Sequence, residues 1–338
     1  CRCSGVHRMK VLFAGCGSIG QRHIHNLKML RTCQVMAWRV RNEDLGDFVR
    51  EYDIEVFHDL DTALDQRPDV VFVTNPTRFH LDVAIPAAQR GCHLFLEKPL
   101  SDSLVRVDEL IDVCERNSAI AFVAYKMRFQ KSIRKIKKVV DSGVLGKLIS
   151  ARSHYSGYLP KWHSGEDYRS LYSANRALGG GVVLDATHEL DYLYWLLGEV
   201  NEVRSMVDRV SDLEVDTEDT AEILMRFTSG AVGSVHMSYA EQPEFRACEV
   251  HGTEGTVLWQ QHRGGVELFT TASDMWTFIG EGDDYDANQM FLDEMEHFLA
   301  CIDGKQEPLI DLQQARRVLE LALEARQPWD ARREGKVQ

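Results

Sequence analysis

Three short segments of the sequence contain residue types whose spacing could support chemistry. The first, Gly15-x-Gly17-x-x-Gly20, directly follows a short apolar run and opens a helix-like stretch. In that context the glycines allow a tight turn, a close backbone approach to a pyrophosphate and tight helix packing. The unpaired N–H groups at the start of the helix would face the phosphates. This segment predicts a dinucleotide site formed by Gly15, Gly17, Ser18, Ile19 and Gly20.

The second segment, Glu97-Lys98-Pro99, ends a strand-like run at the edge where open α/β sheets bind their ligands. A lysine at that edge can polarise or protonate an oxygen atom. The third segment follows Gly179–Gly181 and places Asp185, His188 and Asp191 at intervals of three residues. On a helix these side chains share a face, and an imidazole flanked by carboxylates can act as a base.

Simpler interpretations of the third segment stay open. Asp185 could be a helix N-cap and His188 an oriented structural histidine. A zinc site of His163, His188 and Asp191 is a further alternative, but we expect no metal site in this chain.

The residues after the second strand-like run bear on the choice of cofactor. Dinucleotide folds usually have an acidic residue there for the adenosine ribose, whereas this stretch reads Trp38-Arg39-Val40-Arg41-Asn42. Arg39 and Arg41 favour a 2′-phosphate and hence NADP over NAD. Glu43 and Asp44 follow closely and keep NAD open, and the arginines could equally be solvent-exposed loop residues.

The apolar runs predict two domains. Residues 1–124 alternate short apolar runs with helix-like stretches, which indicates a doubly wound parallel sheet of the Rossmann type, with residues 1–8 as a frayed leader. Residues 125–338 contain longer alternating runs separated by glycines, which predict an open, mainly antiparallel sheet with flanking helices. Helix-like segments at 288–301 and 312–326 could cover that sheet or return to the first domain.

The composition excludes several classes of protein. The 338 residues carry a formal net charge of −13, which argues against a nucleic-acid partner, because phosphate binding needs a positive field. No apolar run is long enough to cross a membrane and no signal sequence is evident, so we expect a cytoplasmic protein. The 8 cysteines include no C-x-x-C pair, which favours reduced thiols, and Cys1, Cys3 and His7 are better explained as part of the leader than as a metal site.

Taken together, these motifs resemble the Gfo/Idh/MocA oxidoreductase family, named for glucose-fructose oxidoreductase and inositol dehydrogenase. The resemblance also rests on Asn75-Pro76-Thr77-Arg78-Phe79-His80, Arg128-Phe129 and Trp195-Leu196-Leu197-Gly198, and it extends over nearly the whole chain. It implies a Rossmann domain, a second domain whose sheet often forms dimer or tetramer contacts, and hydride transfer between nicotinamide and the carbinol carbon of a sugar, polyol or related substrate.

The resemblance also implies roles for single residues. Lys98 matches the catalytic lysine, which is often placed by a cis peptide bond before the proline, and His188 matches the histidine that exchanges the hydroxyl proton. Asp185 matches the assisting aspartate, although only two residues separate it from His188, where three are common. That shorter spacing, with Tyr158-Leu159-Pro160-x-Trp162, looks like a subfamily pattern. The resemblance places Asn75, Pro76, His80 and Glu97 near the cofactor.

Substrate contacts are expected from the second domain, where aromatic, basic and histidine side chains suit a polyhydroxylated or acidic ligand: Tyr125, Arg128, Tyr158, Trp162, His163, Tyr168, Arg169, Asp185 and His188. Arg128 and Arg169 could bind a carboxylate or phosphate, as in a sugar acid or nucleotide sugar. Two alternatives to a dehydrogenase remain, namely an NAD-dependent glycoside hydrolase that oxidises its sugar transiently and a non-catalytic sensor that binds the cofactor.

Overall fold

The structure is a computed structural model that describes residues 8–40, 46–163, 165–282 and 286–333. The chain divides into two compact units. The first contains the residues up to Ala124 together with Phe291–Arg316. The second contains Tyr125–Met290 and the residues from Arg317 onward.

The first unit is built on a six-stranded parallel sheet in the order β3-β2-β1-β4-β5-β6. Its strands are β1 (Lys10–Ala14), β2 (Gln34–Trp38), β3 (Ile54–Phe57), β4 (Val70–Val73), β5 (His93–Leu96) and β6 (Ala121–Val123). Its helices are α1 (Ser18–Leu30), α2 (Asp47–Tyr52), α3 (Leu60–Leu64), α4 (His80–Gln89), α5 (Val107–Arg116) and most of α9 (Gln289–Ile302). This confirms the predicted doubly wound sheet, whose central strands are apolar because both faces are covered.

A row of phenylalanines crosses the centre of this sheet. Phe13, Phe72, Phe95 and Phe122 are register partners on β1, β4, β5 and β6. The first three rings stack with centroids 4.5 and 4.7 Å apart. Phe298 of α9 packs against Phe72, Phe95 and Phe122, so a helix from the C-terminal part of the chain closes the core of the first unit.

The second unit contains an eight-stranded sheet in the order β14-β13-β12-β11-β7-β10-β9-β8. Its strands are β7 (Leu148–Ser156), β8 (Val200–Asp208), β9 (Thr220–Phe227), β10 (Val232–Ser238), β11 (Phe245–Gly252), β12 (Gly255–Gln260), β13 (Gly265–Thr270) and β14 (Met275–Gly280). Its helices are α6 (Lys131–Asp141), α7 (Val182–Asp185), α8 (His188–Leu197) and most of α10 (Leu312–Arg333). Among the described strands of this second sheet only β7 and β10 pair in parallel, so the prediction of a mainly antiparallel sheet is confirmed.

The two faces of this sheet differ in their surroundings. On β9, Ala221, Ile223 and Met225 are buried towards the helices, whereas Leu224 between them is 55% exposed. This period of two continues across the sheet, because successive side chains of a strand point to opposite faces. We call the face that carries Leu224 the open face.

Two elements differ from the sequence-based expectation. Strand β14 was not predicted, because Trp276 and Phe278 alternate on an exposed edge and lack the buried partners that make a strand pattern strong. Helix α10 continues past Arg326 and through Pro328 to Arg333. Side-chain bonds from Arg332 to the Val207 carbonyl and from Arg333 to the Asp216 carbonyl hold this extension against the second unit.

Two further observations concern the cysteines and the lengths of the helices. The six cysteines that the structure describes are buried and free, while Cys1, Cys3 and His7 lie outside the described residues. In the part of the chain that is described, every helix is too short or too polar to cross a membrane.

Candidate cofactor and substrate sites

The glycine loop joins β1 to α1 in the first unit. Gly15 has a φ of 107°, and a Cβ there would lie 2.8 Å from the Thr74 carbonyl oxygen. A Cβ on Gly20 would overlap the Gly15 carbonyl oxygen, so both positions need glycine for packing. Gly17 is different, since a Cβ there would meet no atom within 4 Å. The open space at Gly17, at the start of α1, fits the close approach of a pyrophosphate.

Arg39 directly follows β2, at the same sheet edge as the glycine loop. Burial raises the pKa of Cys16, inside the loop, to about 11, and the positive charge of Arg39 opposes that rise. The Arg39 charge therefore acts on the glycine loop. Arg39 and Val40 are the described residues after β2, and neither is acidic. Arg41, Glu43 and Asp44 lie outside the described residues.

The loop after β4 is fixed to the glycine loop on one side. Thr74 Oγ1 donates to the Gly15 carbonyl oxygen over 2.7 Å. Asn75 Nδ2 donates to the Phe79 carbonyl oxygen, whereas the buried Asn75 Oδ1 receives no hydrogen bond from any described residue. A buried acceptor of this kind fits a ribose hydroxyl, because a polar group withdrawn from water needs a partner. Pro76, next to it, is half-buried.

His80 connects this loop to the loop after β5. Its ring nitrogens lie 3.0 Å from the Asn75 and Pro99 carbonyl oxygens, and the residue is 1% exposed. Burial lowers the pKa of His80, against the opposing effects of its backbone partners and of Glu97. His80 therefore positions Asn75 and Pro99, and the cofactor contact that the sequence suggested for it stays a prediction.

Lys98 lies at the carboxyl end of β5, and the Lys98–Pro99 peptide bond is cis, as the resemblance implied. Beside it, Glu97 Oε1 lies 2.7 Å from Nε2 of the fully buried His23, a residue of α1. The Lys98 N–H also approaches Glu97 Oε2, at 3.3 Å. The His23–Glu97 pair thus ties the helix that the glycine loop opens to the strand end that carries Lys98.

In the second unit, Asp185 is the last residue of α7 and is 7% exposed. Its carboxylate accepts hydrogen bonds from Tyr172 Oη at 2.6 Å, Ser173 Oγ at 2.7 Å and Tyr239 Oη at 3.1 Å. Three hydroxyl donors hold the carboxylate in one orientation. The N-cap of α8 is Thr187, so the alternative that Asp185 caps this helix is wrong.

His188 begins α8 and is 3% exposed. The ring of the fully buried Tyr125 meets it edge-on, with centroids 5.8 Å apart. Burial raises the pKa of Tyr125, and the charge of Asp191 adds to that effect. A phenol that stays protonated beside an imidazole can orient the imidazole ring without competing for its proton.

The triple-glycine segment that precedes α7 is packed against its own chain. A Cβ on Gly180 would overlap the Tyr172 carbonyl oxygen, and a Cβ on Gly181 would overlap the Glu218 carboxylate. Gly181 also has a φ of 115°, a backbone angle that residues with a side chain rarely adopt. The absence of side chains at Gly180 and Gly181 lets the chain around Tyr172 and Ser173 pack close to the end of α7, where both residues donate hydrogen bonds to Asp185.

Both predicted anion-binding arginines already bind carboxylates. Arg128 is 1% exposed and donates to Asp191 through Nε at 3.1 Å and Nη2 at 2.7 Å. Arg169 is exposed and donates to Asp167 and Glu214. A substrate carboxylate would have to compete with these partners, and the ligand contact that the sequence suggested for the two arginines stays a prediction.

The remaining predicted substrate residues are partly buried. Trp162 packs edge-on against Tyr239, with ring centroids 5.3 Å apart, and so lies next to a donor to Asp185. Tyr158 has the Lys161 ammonium 5.9 Å above its ring, and the Tyr168 hydroxyl accepts a bond from the Glu214 N–H. The structure thus brings Trp162 towards Asp185 and places Tyr168 in the Arg169 network. His163 is half-buried, and its carbonyl oxygen accepts a hydrogen bond from the Glu166 N–H at 3.3 Å.

Several residues of this cluster were missed by the sequence analysis. Tyr172, Ser173 and Tyr239 reach Asp185 from positions 13, 12 and 54 residues away in the chain. Arg246 of β11 lies 4.3 Å from the Tyr155 ring centroid, and its Nε lies 2.9 Å from Glu189 Oε1. Contacts between segments that are separate in the sequence bring these residues together, so no local spacing could have identified them.

The two units were also compared with known proteins. Residues 9–125 match the model of an oxidoreductase family with an NAD-binding Rossmann fold, GFO_IDH_MocA, and residues 133–258 match the GFO/IDH/MocA C-terminal domain. Myo-inositol 2-dehydrogenase of Thermotoga maritima is 26% identical over 98% of this chain and 99% of its own length. Levoglucosan dehydrogenase of Pseudarthrobacter phenanthrenivorans is 26% identical over 61% of this chain and 58% of its own length.

A solved structure of levoglucosan dehydrogenase in complex with NADH and L-sorbose shares the fold. It has a TM-score of 0.83 at 20% sequence identity and covers 95% of this chain and 97% of its own.

Proposed function

Because the chain belongs to the Gfo/Idh/MocA oxidoreductase family, with an NAD-binding Rossmann domain, we propose that it transfers a hydride between nicotinamide and a carbinol carbon of a sugar or polyol. The observation that carries this proposal is the position of Lys98. It lies at the carboxyl end of β5, at the same sheet edge as the glycine loop after β1. Open α/β sheets bind their ligands at this edge.

The residues of the first unit fit the dinucleotide. The open space at Gly17 and the start of α1 would hold the pyrophosphate, and Asn75 Oδ1 would accept from a ribose hydroxyl. When bound, the nicotinamide supplies the hydride acceptor or donor. His80 and the His23–Glu97 pair keep the loops that carry Asn75 and Lys98 in place.

Proton movement is assigned to Lys98 and His188. In the oxidation direction His188 takes the hydroxyl proton as the C–H electron pair leaves as hydride, and the carbon–oxygen bond becomes a carbonyl. The Lys98 ammonium stabilises the negative charge that develops on that oxygen. Asp185, held by three hydroxyls, assists His188. We assign the two-residue spacing between Asp185 and His188 to a subfamily with a shortened motif.

A polyhydroxylated substrate is supported by the relatives, which are named for inositol and levoglucosan. Of the predicted substrate residues, Trp162 has the best support, because its ring packs against Tyr239 beside Asp185. Sugar acids and nucleotide sugars remain in the substrate panel.

NADP is the proposed preferred cofactor. Arg39 follows β2 where NAD-specific folds usually have a carboxylate, and its charge acts on the glycine loop. A guanidinium there can bind a 2′-phosphate.

Self-association through the open face is also proposed. Met206, Leu224, Val232, Trp276 and Phe278 are exposed large apolar side chains on strands of that sheet. Sedimentation equilibrium of the full chain would show a dimer or tetramer, whereas a monomer at micromolar concentration would contradict this part of the proposal.

The test follows nicotinamide absorbance with purified protein, a panel of sugars, polyols, sugar acids and nucleotide sugars, and each cofactor. We expect Lys98→Met and His188→Ala to lower kcat by about 10³-fold, since positioned proton transfer contributes about 10²- to 10⁴-fold. Cofactor affinity should change less than about threefold. Lys147→Met, which removes an exposed lysine of the second unit, is the matched control and should retain normal rates.

Several outcomes would contradict the proposal. Near-normal turnover of Lys98→Met would remove the assigned role of Lys98. Release of an aglycone without net change in cofactor would instead show that oxidation is a transient step of glycoside cleavage. A higher kcat/KM with NAD than with NADP, unchanged by Arg39→Ala, would overturn the cofactor preference alone.

A further inference from the structure

Two histidines lie side by side on the open face of the second unit. His154 of β7 and His236 of β10 are register partners in the parallel pair, and their ring centroids are 4.5 Å apart. Ser153, which precedes His154, hydrogen-bonds Tyr192 of α8 on the helix-covered face. Because successive side chains alternate, His154 points to the opposite face from Asp185 and His188 on their helices.

A carboxylate completes this pair. Glu241, three residues beyond β10, places Oε1 2.8 Å from His236 Nε2 and Oε2 3.5 Å from His154 Nε2. One potential ligand atom from each of the three side chains lies within 4.8 Å of the others. In a tetrahedral zinc site, ligand atoms at about 2.0–2.2 Å from the ion are about 3.3–3.6 Å apart. The side chains of His154, His236 and Glu241 would therefore have to move by about 1 Å to bind one ion together.

A second carboxylate orients one of the histidines. Glu222, the register partner of His236 on β9, has Oε1 2.6 Å from His236 Nδ1. With Nδ1–H donating to Glu222, the Nε2 atom faces Glu241 and can present its lone pair to an ion. Metal-binding histidines usually have this arrangement, in which a carboxylate or carbonyl accepts from the other ring nitrogen.

His154 provides an independent indication. Its Nε2 atom is buried and makes no hydrogen bond to any described residue, although it faces Glu241. A neutral imidazole with a buried lone pair is the form that binds metals. Beside the three residues, a cavity of about 310 Å³ is lined by His154, Glu222, His236 and Phe245.

We propose that His154, His236 and Glu241 bind a divalent transition-metal ion, zinc in particular, with Glu222 as the positioning residue for His236. Two imidazoles and one carboxylate are a common zinc ligand set, and a fourth position is left for water or another ligand. Binding at His236 replaces any proton on Nε2 with the ion and releases that proton to solvent. The site is separate from the residues assigned to hydride transfer and does not depend on that proposal.

The test uses the full chain after removal of bound metal with a chelator. Titration with Co²⁺, followed by its visible absorption, and competition with Zn²⁺ should give one ion per chain. His154→Ala, His236→Ala and Glu241→Gln should each weaken affinity by about 100-fold or more. Glu222→Gln should weaken it by about 10- to 100-fold, as outer-shell partners usually do.

Two controls separate this site from others. His251→Ala removes another open-face histidine, bonded to Thr256, and should bind Co²⁺ like the unchanged chain. Cys1→Ser/Cys3→Ser removes the only cysteines outside the described residues and should also leave binding unchanged. Zinc should raise the Tm of the unchanged chain and not that of folded His154→Ala, because an ion that binds only the native state stabilises it.

The proposal is overturned if the unchanged chain binds no stoichiometric metal. It is also overturned if binding survives in His154→Ala and His236→Ala but is lost in Cys1→Ser/Cys3→Ser.

Discussion

Two glycine-rich segments, one in each unit, precede helices that carry candidate site residues. In the first, Gly15 and Gly20 pack against backbone, but a Cβ at Gly17 would meet open space. In the second, Gly180 and Gly181 are both closed off by the chain itself, through the Tyr172 carbonyl and the Glu218 carboxylate. Similar sequences therefore serve different purposes.

The difference lies in what each segment accommodates. Among the glycines that the structure describes, Gly17 alone combines an ordinary φ with no neighbour within 4 Å of a Cβ. That combination is expected where a ligand approaches the backbone. The segment at 179–181 instead packs against other parts of the same chain. This packing accompanies the arrangement in which three hydroxyl groups donate hydrogen bonds to Asp185.

Gly181→Ala should give the largest effect on stability. An alanine at position 181 must adopt a φ of 115°, which costs about 1–2 kcal/mol of backbone strain. Its Cβ would also overlap the Glu218 carboxylate, and this overpacking costs about 1–3 kcal/mol more. We expect the free energy of unfolding in urea to fall by about 2–5 kcal/mol. Gly198→Ala is the matched control, since its φ is 87° but its Cβ meets no atom within 4 Å. Equal losses in the two variants would show that Glu218 does not restrict position 181.

Glu218 itself should make stability depend on pH. Burial raises the pKa of Glu218 from 4.5 to about 7, against the opposing charge of Arg326. The folded state then holds a proton that the unfolded state has lost, so stability falls as pH rises from about 4.5 to 7. The expected loss is roughly 3 kcal/mol. Urea unfolding at a series of pH values should show a flatter profile for Glu218→Gln, and parallel profiles would refute this assignment.

Gly17→Ala should give the smallest effect of the three substitutions. It should weaken cofactor binding and leave the free energy of unfolding nearly unchanged. Because the Cβ enters open space with φ at −70°, stability should stay within about 0.5 kcal/mol. The methyl group would hinder a pyrophosphate, and we expect the cofactor Kd to rise about tenfold, or about 1.4 kcal/mol. Isothermal titration with NAD and NADP measures this. Unchanged affinity for both would place the pyrophosphate away from Gly17.

The elements of the first unit were predicted well because their signals are local. A buried parallel strand is a short apolar run, and the glycine loop after β1 has a fixed spacing. The second unit was harder to predict. Its sheet was recognised from alternation, but β14 on the exposed edge was missed, and the sequence could not show that β7 pairs in parallel with β10.

In the candidate site, too, residue types were predictable from the sequence, whereas their partners from distant segments were not. Arg128 and Arg169 have the chemistry of anion-binding residues, and no pattern in the sequence shows that Asp191, Asp167 and Glu214 already bind them. The hydroxyl donors to Asp185 were likewise invisible, because they come from separate segments.

The sequence by itself determined the family resemblance, the Rossmann sheet and the positions of the glycine loop, Lys98 and His188, because each depends on residue types at short, fixed spacings. The tertiary structure decided which charges are already paired, which glycines leave room for a ligand, and that His154, His236 and Glu241 meet on the open face. These depend on strand register and on packing between distant segments, and a contact between residues 82 positions apart, such as His154 with His236, has no local signal.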